Sequence, residues 1–134
     1  MASGQSYIVG DTLMTMADSE AYCASMGTNL ASIHSESDFN ESRSLCQSAS
    51  SSLGCWVGLI QPAEDEPWYW TDSTSLDYGF ASDGSPTTGL GPWWTSEPDH
   101  SEGWEDCIHI ASTQSHHWDD VDCANHNYPI CNGM

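Results

Sequence analysis

The chain has 134 residues, 38% of them hydrophobic and including seven Trp and five Tyr, enough to build a sizeable core in one domain. Twenty Asp and Glu stand against one basic side chain, Arg43, for a formal net charge of -19. That balance excludes partners that are themselves polyanions, namely nucleic acid, anionic membranes and sulfated or sialylated polymers, and it suits cation binding or salty surroundings that screen self-repulsion.

Tyr7-Ile8-Val9 reads as a short opening strand. A helix is predicted from Thr15 to Met26, with Thr15 as N-cap, Asp18 three residues on and Gly27 as the stop. Its apolar side is expected to hold Met16, Ala17, Ala21, Tyr22 and Ala24. The apolar link Leu30 to Ile33 follows. A second helix is predicted from Ser35 to about Gln47, capped by Ser35 and Asp38, with Phe39 and Leu45 facing inward. Trp56-Val57-Gly58-Leu59-Ile60 is the strongest strand signal, and Trp68 to Thr71 is the next, ended by the turn-like Asp72-Ser73. From Asp72 to Gly103 the chain is rich in Gly, Pro, Ser, Thr and Asp, without a period; a loop of that length is usually functional or disordered, and Trp93, Trp94 and Trp104 favour an ordered one. Three short strands are predicted after it: Cys107 to Ala111, His117 to Val121 and Tyr128 to Cys131. Helices first and strands afterwards make an α+β domain, taken as residues 5–132. No segment is long and apolar enough to span a membrane.

Six cysteines in a small domain read as an oxidised, extracellular framework, so the protein is expected to be secreted. Fifteen pairings are combinatorially open. By spacing, Cys46 and Cys55 could close a short loop, Cys107 and Cys123 a longer one, and Cys23 and Cys131 could tie the front of the domain to its end. With no C-x-x-C pair, zinc is disfavoured. Export needs a signal that Met1-Ala2-Ser3-Gly4 is not, so the chain is expected to begin after a removed one.

The C-terminal third concentrates the acid. Glu97, Asp99, Glu102, Glu105, Asp106, Asp119, Asp120 and Asp122 lie there with no Lys or Arg between them. Like charges at that density need a cation to pack together, and hard oxygen ligands without basic partners point to calcium. Five of the six histidines lie at or beyond His100. His116 and His117 would point to opposite faces of a strand, which disfavours a shared ion, and the histidines are expected to be solvated. Asn40-Glu41-Ser42 matches an N-glycosylation acceptor. No nucleophile elbow, phosphate loop or zinc-protease motif is present, so no enzyme is expected.

The chain resembles the C-type lectin-like domain over nearly its whole length, from Tyr7 to Cys131. The resemblance rests on Glu20-Ala21-Tyr22-Cys23, Leu30-Ala31-Ser32-Ile33, Trp56-Val57-Gly58-Leu59, Glu97-Pro98-Asp99, Glu105-Asp106-Cys107, Trp118-Asp119-Asp120, Cys123 and Pro129-Ile130-Cys131, in that order. It implies a disulfide-stapled α+β fold with two helices, small antiparallel sheets and a long calcium-binding loop. It implies the pairings Cys23–Cys131 and Cys107–Cys123, with Cys46–Cys55 as an addition. It places the principal calcium ligands at Glu97, Asp99, Glu105, Asp119 and Asp120. A second ion would draw on Asp106 with Glu105 and one of Glu64, Asp65 or Glu66, Asp65 being the candidate taken.

Sugar-binding members complete the calcium shell with two vicinal hydroxyls of a neutral sugar, and the resemblance implies such a glycan as partner, mannose-like or galactose-like. Here the proline-flanking pair, Glu97 with Asp99, mixes the forms associated with each sugar, and the family's Asn before the final Asp is replaced by Asp119. All five ligand candidates are therefore carboxylates that accept but do not donate. Trp104 is the candidate stacking platform, while Trp93 or Trp94 is expected to fill the loop's own core. The competing reading is calcium-dependent recognition of a non-sugar surface such as a protein partner, ice or a mineral. Family members often gain avidity by clustering, so a homo-oligomer is among the expectations.

Overall fold

The computed structural model describes residues 7–49, 54–61, 67–82, 85–87, 92–93, 106–111 and 117–133. Its elements run β1 (Tyr7–Val9), α1 (Met16–Ser25), α2 (Glu36–Ala49), β2 (Cys55–Gln61), β3 (Tyr69–Trp70), β4 (Asp106–Ala111), β5 (His117–Asp122) and β6 (Tyr128–Asn132). The strands form one mixed sheet in the order β1-β6-β2-β4-β5, with β3 on β2. Antiparallel pairing of β1 with β6 sets Ile8 opposite Cys131, so the two ends of the described chain share one side of the sheet. β2 and β6 are parallel, and the whole intervening chain serves as the crossover.

Both helices start where their capping residues dictate. Thr15 Oγ1 accepts from the Asp18 amide at 3.2 Å, and Ser35 Oγ accepts from the Asp38 amide at 3.1 Å. The Asp38 carboxylate reaches back to the His34 amide at 3.1 Å, which completes a reciprocal cap one residue upstream of the usual place. α1 ends in paired bonds, Thr28 N to Cys23 O and Gly27 N to Ala24 O, with Gly27 at φ +82, a turn only glycine enters without strain.

The inward face of α1 differs from the predicted one. Met16, Ser19 and Cys23 are buried, with Tyr22 and Met26 packed beside them, whereas Ala17, Ala21 and Ala24 are exposed. Cys23 sets this rotation, because its bond to Cys131 fixes which side of α1 meets β6, and the small Ser19 lets the helix lie close. On α2, Phe39, Ser42 and Cys46 are buried and Leu45 packs at the core's margin.

All three disulfides are present: Cys23–Cys131, Cys46–Cys55 and Cys107–Cys123, with sequence separations of 108, 9 and 16. Side chains alternating along β4 and β5 feed two clusters. Ile108, Ile110 and Trp118 join Phe39, Trp68, Trp70, Phe80 and Trp93 in the larger one. Cys107 and Val121 join Met16, Cys23, Leu30, Trp56 and Cys131 in the smaller one under α1.

Candidate functional site

Of the predicted calcium ligands, Asp119 and Asp120 fall within the described residues. Glu97, Asp99, Glu105 and Asp65, and the platform candidate Trp104, lie outside them, as do Trp94, His100 and His116. Asp106 opens β4, its backbone opposite Asp122 and Gln61.

Asp119 and Asp120 sit next to each other on β5 but on opposite faces of it. Asp120, 1% exposed, is on the face of Trp118 and the larger aromatic cluster. Asp119 is on the face of Val121, directly across from His109 on β4. Its Oδ2 lies 3.3 Å from His109 Nε2, and His109 Nδ1 lies 3.2 Å from Asn127 Oδ1. Among the described residues no three His, Cys, Asp or Glu side chains converge on one point. The pair on β5 therefore needs acids from elsewhere in the chain to complete a cation site.

The position of the long loop bears on where such acids come from. β5 is the last strand of the sheet, and its outer edge is taken by the loop: the Trp118 amide donates to Pro92 O at 2.7 Å, and Trp93 bridges Trp118 in parallel. Trp93 is 2% exposed, as expected for a loop tryptophan that fills core. Its ring meets Trp118 edge-on at 5.2 Å, Trp68 at 5.8 Å and Phe80 at 6.0 Å, and its Nε1 donates to Gly79 O at 2.8 Å. Gly79 has φ +88, and a Cβ there would lie 2.9 Å from Trp118 Cζ3, so a side chain would push the loop off the tryptophan. Trp56 and Trp118, both on strands, are fully buried.

Two groups of residues went unsignalled in the sequence. His109 was expected in solvent; instead it is partly buried, wedged between Asp119, Asn127 and the Trp56 ring at 6.2 Å. His117 likewise leans on Phe39 at 5.7 Å, whereas His126 is exposed. The other is Asp72, read as a turn residue. It accepts from Thr74 N at 3.0 Å, from Asn132 Nδ2 at 3.0 Å and from the Ser32 hydroxyl. Partial burial alone would raise its pKa, but the hydrogen bonds from Ser32, Thr74 and Asn132 outweigh that and hold the carboxyl below its ordinary value. Asp72 thereby ties the start of the long loop to β6 and to the link before α2, a contact that no local motif announces.

Comparison with known proteins agrees with this architecture. A family profile described as "Lectin C-type domain" matches residues 12–133. Ladderlectin from Oncorhynchus mykiss is 30% identical over 107 residues, which is 79% of this chain and 50% of that protein. A "C-type lectin mannose-binding isoform" from Notechis scutatus scutatus is 30% identical over 133 residues, 96% of this chain and 77% of that protein. The chain thus spans half the length of the first relative and about three quarters of the second. Among solved structures, a "Ca2+-dependent type II antifreeze protein (Ca2+-free form)" superposes with a TM-score of 0.70 at 21% identity, covering 100% of this chain and 95% of that one. The chain belongs to the C-type lectin family, which is a family of binding domains and not of enzymes.

Proposed function

We propose that this chain is a secreted, calcium-dependent carbohydrate-binding domain, residues 5–132, that holds calcium through Glu97, Asp99, Glu105, Asp119 and Asp120. The observation that carries the reading is the parallel bridge between Trp93 and Trp118. At that bridge the loop runs in the direction of β5, toward Asp119 and Asp120. Antiparallel β4 starts at that same end, with Asp106 opposite Asp122 and Ile108 opposite Asp120. Glu97 is four steps along the chain from Trp93, a reach of at most roughly 14 Å, and Glu105 is three steps from Ile108, at most roughly 11 Å. Chain length thus leaves Glu97 and Glu105 within reach of the pair on β5, which supports the reading. Three disulfides support an oxidising, extracellular setting.

The proposed donor set suits the ion. Carboxylate oxygens are the ligands calcium prefers, and Asp120 is a buried carboxylate in a chain whose one basic residue, Arg43, lies over the Phe39 ring. Bound calcium would supply coordination positions that two vicinal sugar hydroxyls can fill. The carboxylates around it accept hydrogen bonds from those hydroxyls but cannot donate in return. Trp104 is the proposed stacking face for the pyranose. A second ion would draw on Asp65 and Asp106.

Calorimetric titration with calcium, followed by neutral mannose-like and galactose-like sugars, tests this. Calcium binding with sugar heat that disappears in chelator is the expected result. No heat from calcium would defeat the metal assignment, and calcium heat without any sugar response would leave the ion and remove the glycan.

A second reading has its own support. The fold is shared with the antifreeze protein, and the proposed shell has none of the amide ligands of the family's sugar-binding members. On this reading the same calcium site faces a non-sugar surface such as ice, a mineral or a protein. Calcium-dependent inhibition of ice growth or mineral deposition, undisturbed by free sugars, would select it.

A further inference from the structure

Of the five asparagines in the chain, Asn132 alone is followed by glycine, Gly133. That dipeptide carries a chemistry of its own. The backbone nitrogen of the next residue can attack an asparagine side-chain carbonyl, and glycine puts no Cβ in the way and lets the chain bend toward the attack. At Asn132 the Gly133 nitrogen would form a bond to Cγ. The side-chain nitrogen would leave as ammonia, carrying the proton that the Gly133 amide gives up. One water then opens the five-membered imide to aspartate or isoaspartate at position 132. Water enters and ammonia leaves, and nothing is oxidised or reduced.

The fold holds the groups that this reaction has to move. Asn132 closes β6 and pairs with Tyr7 on β1. Its amide donates to Asn29 O at 2.8 Å, and its carbonyl accepts from Thr28 Oγ1 at 3.0 Å. The side chain is fixed at both of its polar atoms: Oδ1 accepts from the Ser32 amide at 3.1 Å, and Nδ2 donates to Asp72 Oδ2 at 3.0 Å. Cγ can swing onto the Gly133 nitrogen only by giving up these bonds.

The same contacts make the product a poor fit. Burial alone would raise the Asp72 pKa, but hydrogen bonds from Ser32, Thr74 and Asn132 hold it below the ordinary value, so Asp72 is a carboxylate at neutral pH. An acid at position 132 lacks the Nδ2 donor and sets a second carboxylate against Asp72. Two carboxylates can only accept, and at that separation their charges repel. Arg43, the chain's one Lys or Arg, lies over the Phe39 ring. Isoaspartate also adds an atom to the backbone, which disturbs the pairing of β6 with Tyr7.

We propose that Asn132 is a modification site gated by the fold: it deamidates when β6 opens, is protected while tied to Ser32 and Asp72, and once converted no longer holds the start of the long loop to β6. None of this depends on what the loop binds.

Rate measurements on the natural chain test the gating. Folded protein, and the same protein unfolded in guanidinium chloride with its disulfides intact, are incubated side by side at mildly alkaline pH without calcium or sugar. Peptide mapping with isoaspartate detection should find Asn132 converting first in the unfolded chain, and roughly tenfold or more slowly in the folded one. Equal rates in the two states, or another asparagine converting first in the unfolded chain, overturns the inference. Asn132→Asp tests the product and should melt several degrees below the natural protein in chelator. Combining it with Asp72→Asn exchanges acid and amide and should recover much of that loss. An Asn132→Asp protein that melts with the natural one, or a double variant that melts no higher than Asn132→Asp, also overturns it. If Asn132→Asp does not fold, a folded double variant is the expected result and an unfolded one overturns the inference.

Discussion

Trp93 and Trp118 are joined twice, through edge-on rings 5.2 Å apart and through a parallel backbone bridge. The ring contact belongs to the core, while the bridge sets the course of the loop at Trp93 itself. One tryptophan therefore couples the core of the fold to the loop segment laid along β5.

Trp93→Ala should remove both the ring contacts and the Nε1 bond to Gly79. The expected loss is about 3–5 kcal/mol, the range for a buried aromatic truncated in a core. Denaturant unfolding measures it directly. A loss under about 1 kcal/mol would mean that the loop keeps its place without this anchor.

Asp119→Asn restores an amide at the position where the family's sugar-binding members have one. Under the proposed function it adds a donor for a sugar hydroxyl, worth about 1 kcal/mol or roughly fivefold in sugar affinity. It should weaken calcium, because one negative charge leaves the shell. Calorimetry in saturating calcium separates the two effects, and unchanged sugar affinity would argue that Asp119 stands away from the ligand, turned toward His109.

Asp72 makes stability sensitive to acid. Its folded-state pKa lies below the unfolded value, so its contribution is complete at neutral pH and declines as pH falls through the folded value, below the ordinary carboxylate range near 3.9. Asp72→Asn should flatten that part of the stability profile while lowering the neutral-pH plateau. Thermal melts in chelator from neutrality to about pH 2 are the measurement, with chelator present so that release of calcium is not mistaken for titration of Asp72. Parallel curves for the two proteins would count against the role given to Asp72.

The disulfides should rank by the loops they close. Replacing Cys46 and Cys55 with Ser should cost about 2–3 kcal/mol, and replacing Cys23 and Cys131 about 4–5 kcal/mol, from loop-closure entropy at separations of 9 and 108. The reverse order in unfolding experiments would show that Cys46–Cys55 holds native contacts at the end of α2 beyond what loop entropy explains.

Local signals in the chain were enough for the element order. Caps at Thr15 and Ser35, the apolar run from Trp56 to Ile60 and the acid-flanked strand at Trp118 each depend on neighbours a few residues away, and each element forms within a residue or two of its expected bounds. The three cysteine pairs were also legible, because spacing suggested each of them and the family pattern pointed the same way for Cys23–Cys131 and Cys107–Cys123. What the sequence could not decide were relations between distant segments. The alanines of α1 look apolar, but the bond from Cys23 to Cys131 turns them outward. Asp119 and Asp120 look like a pair, but strand geometry sends them to opposite faces, one to His109 and the other to the aromatic core. Asp72 looks like a turn residue, and only the approach of Ser32 and Asn132, 40 and 60 residues away in the chain, makes it a junction. Such contacts arise from sheet register and disulfide closure, long-range constraints that leave no trace in local composition.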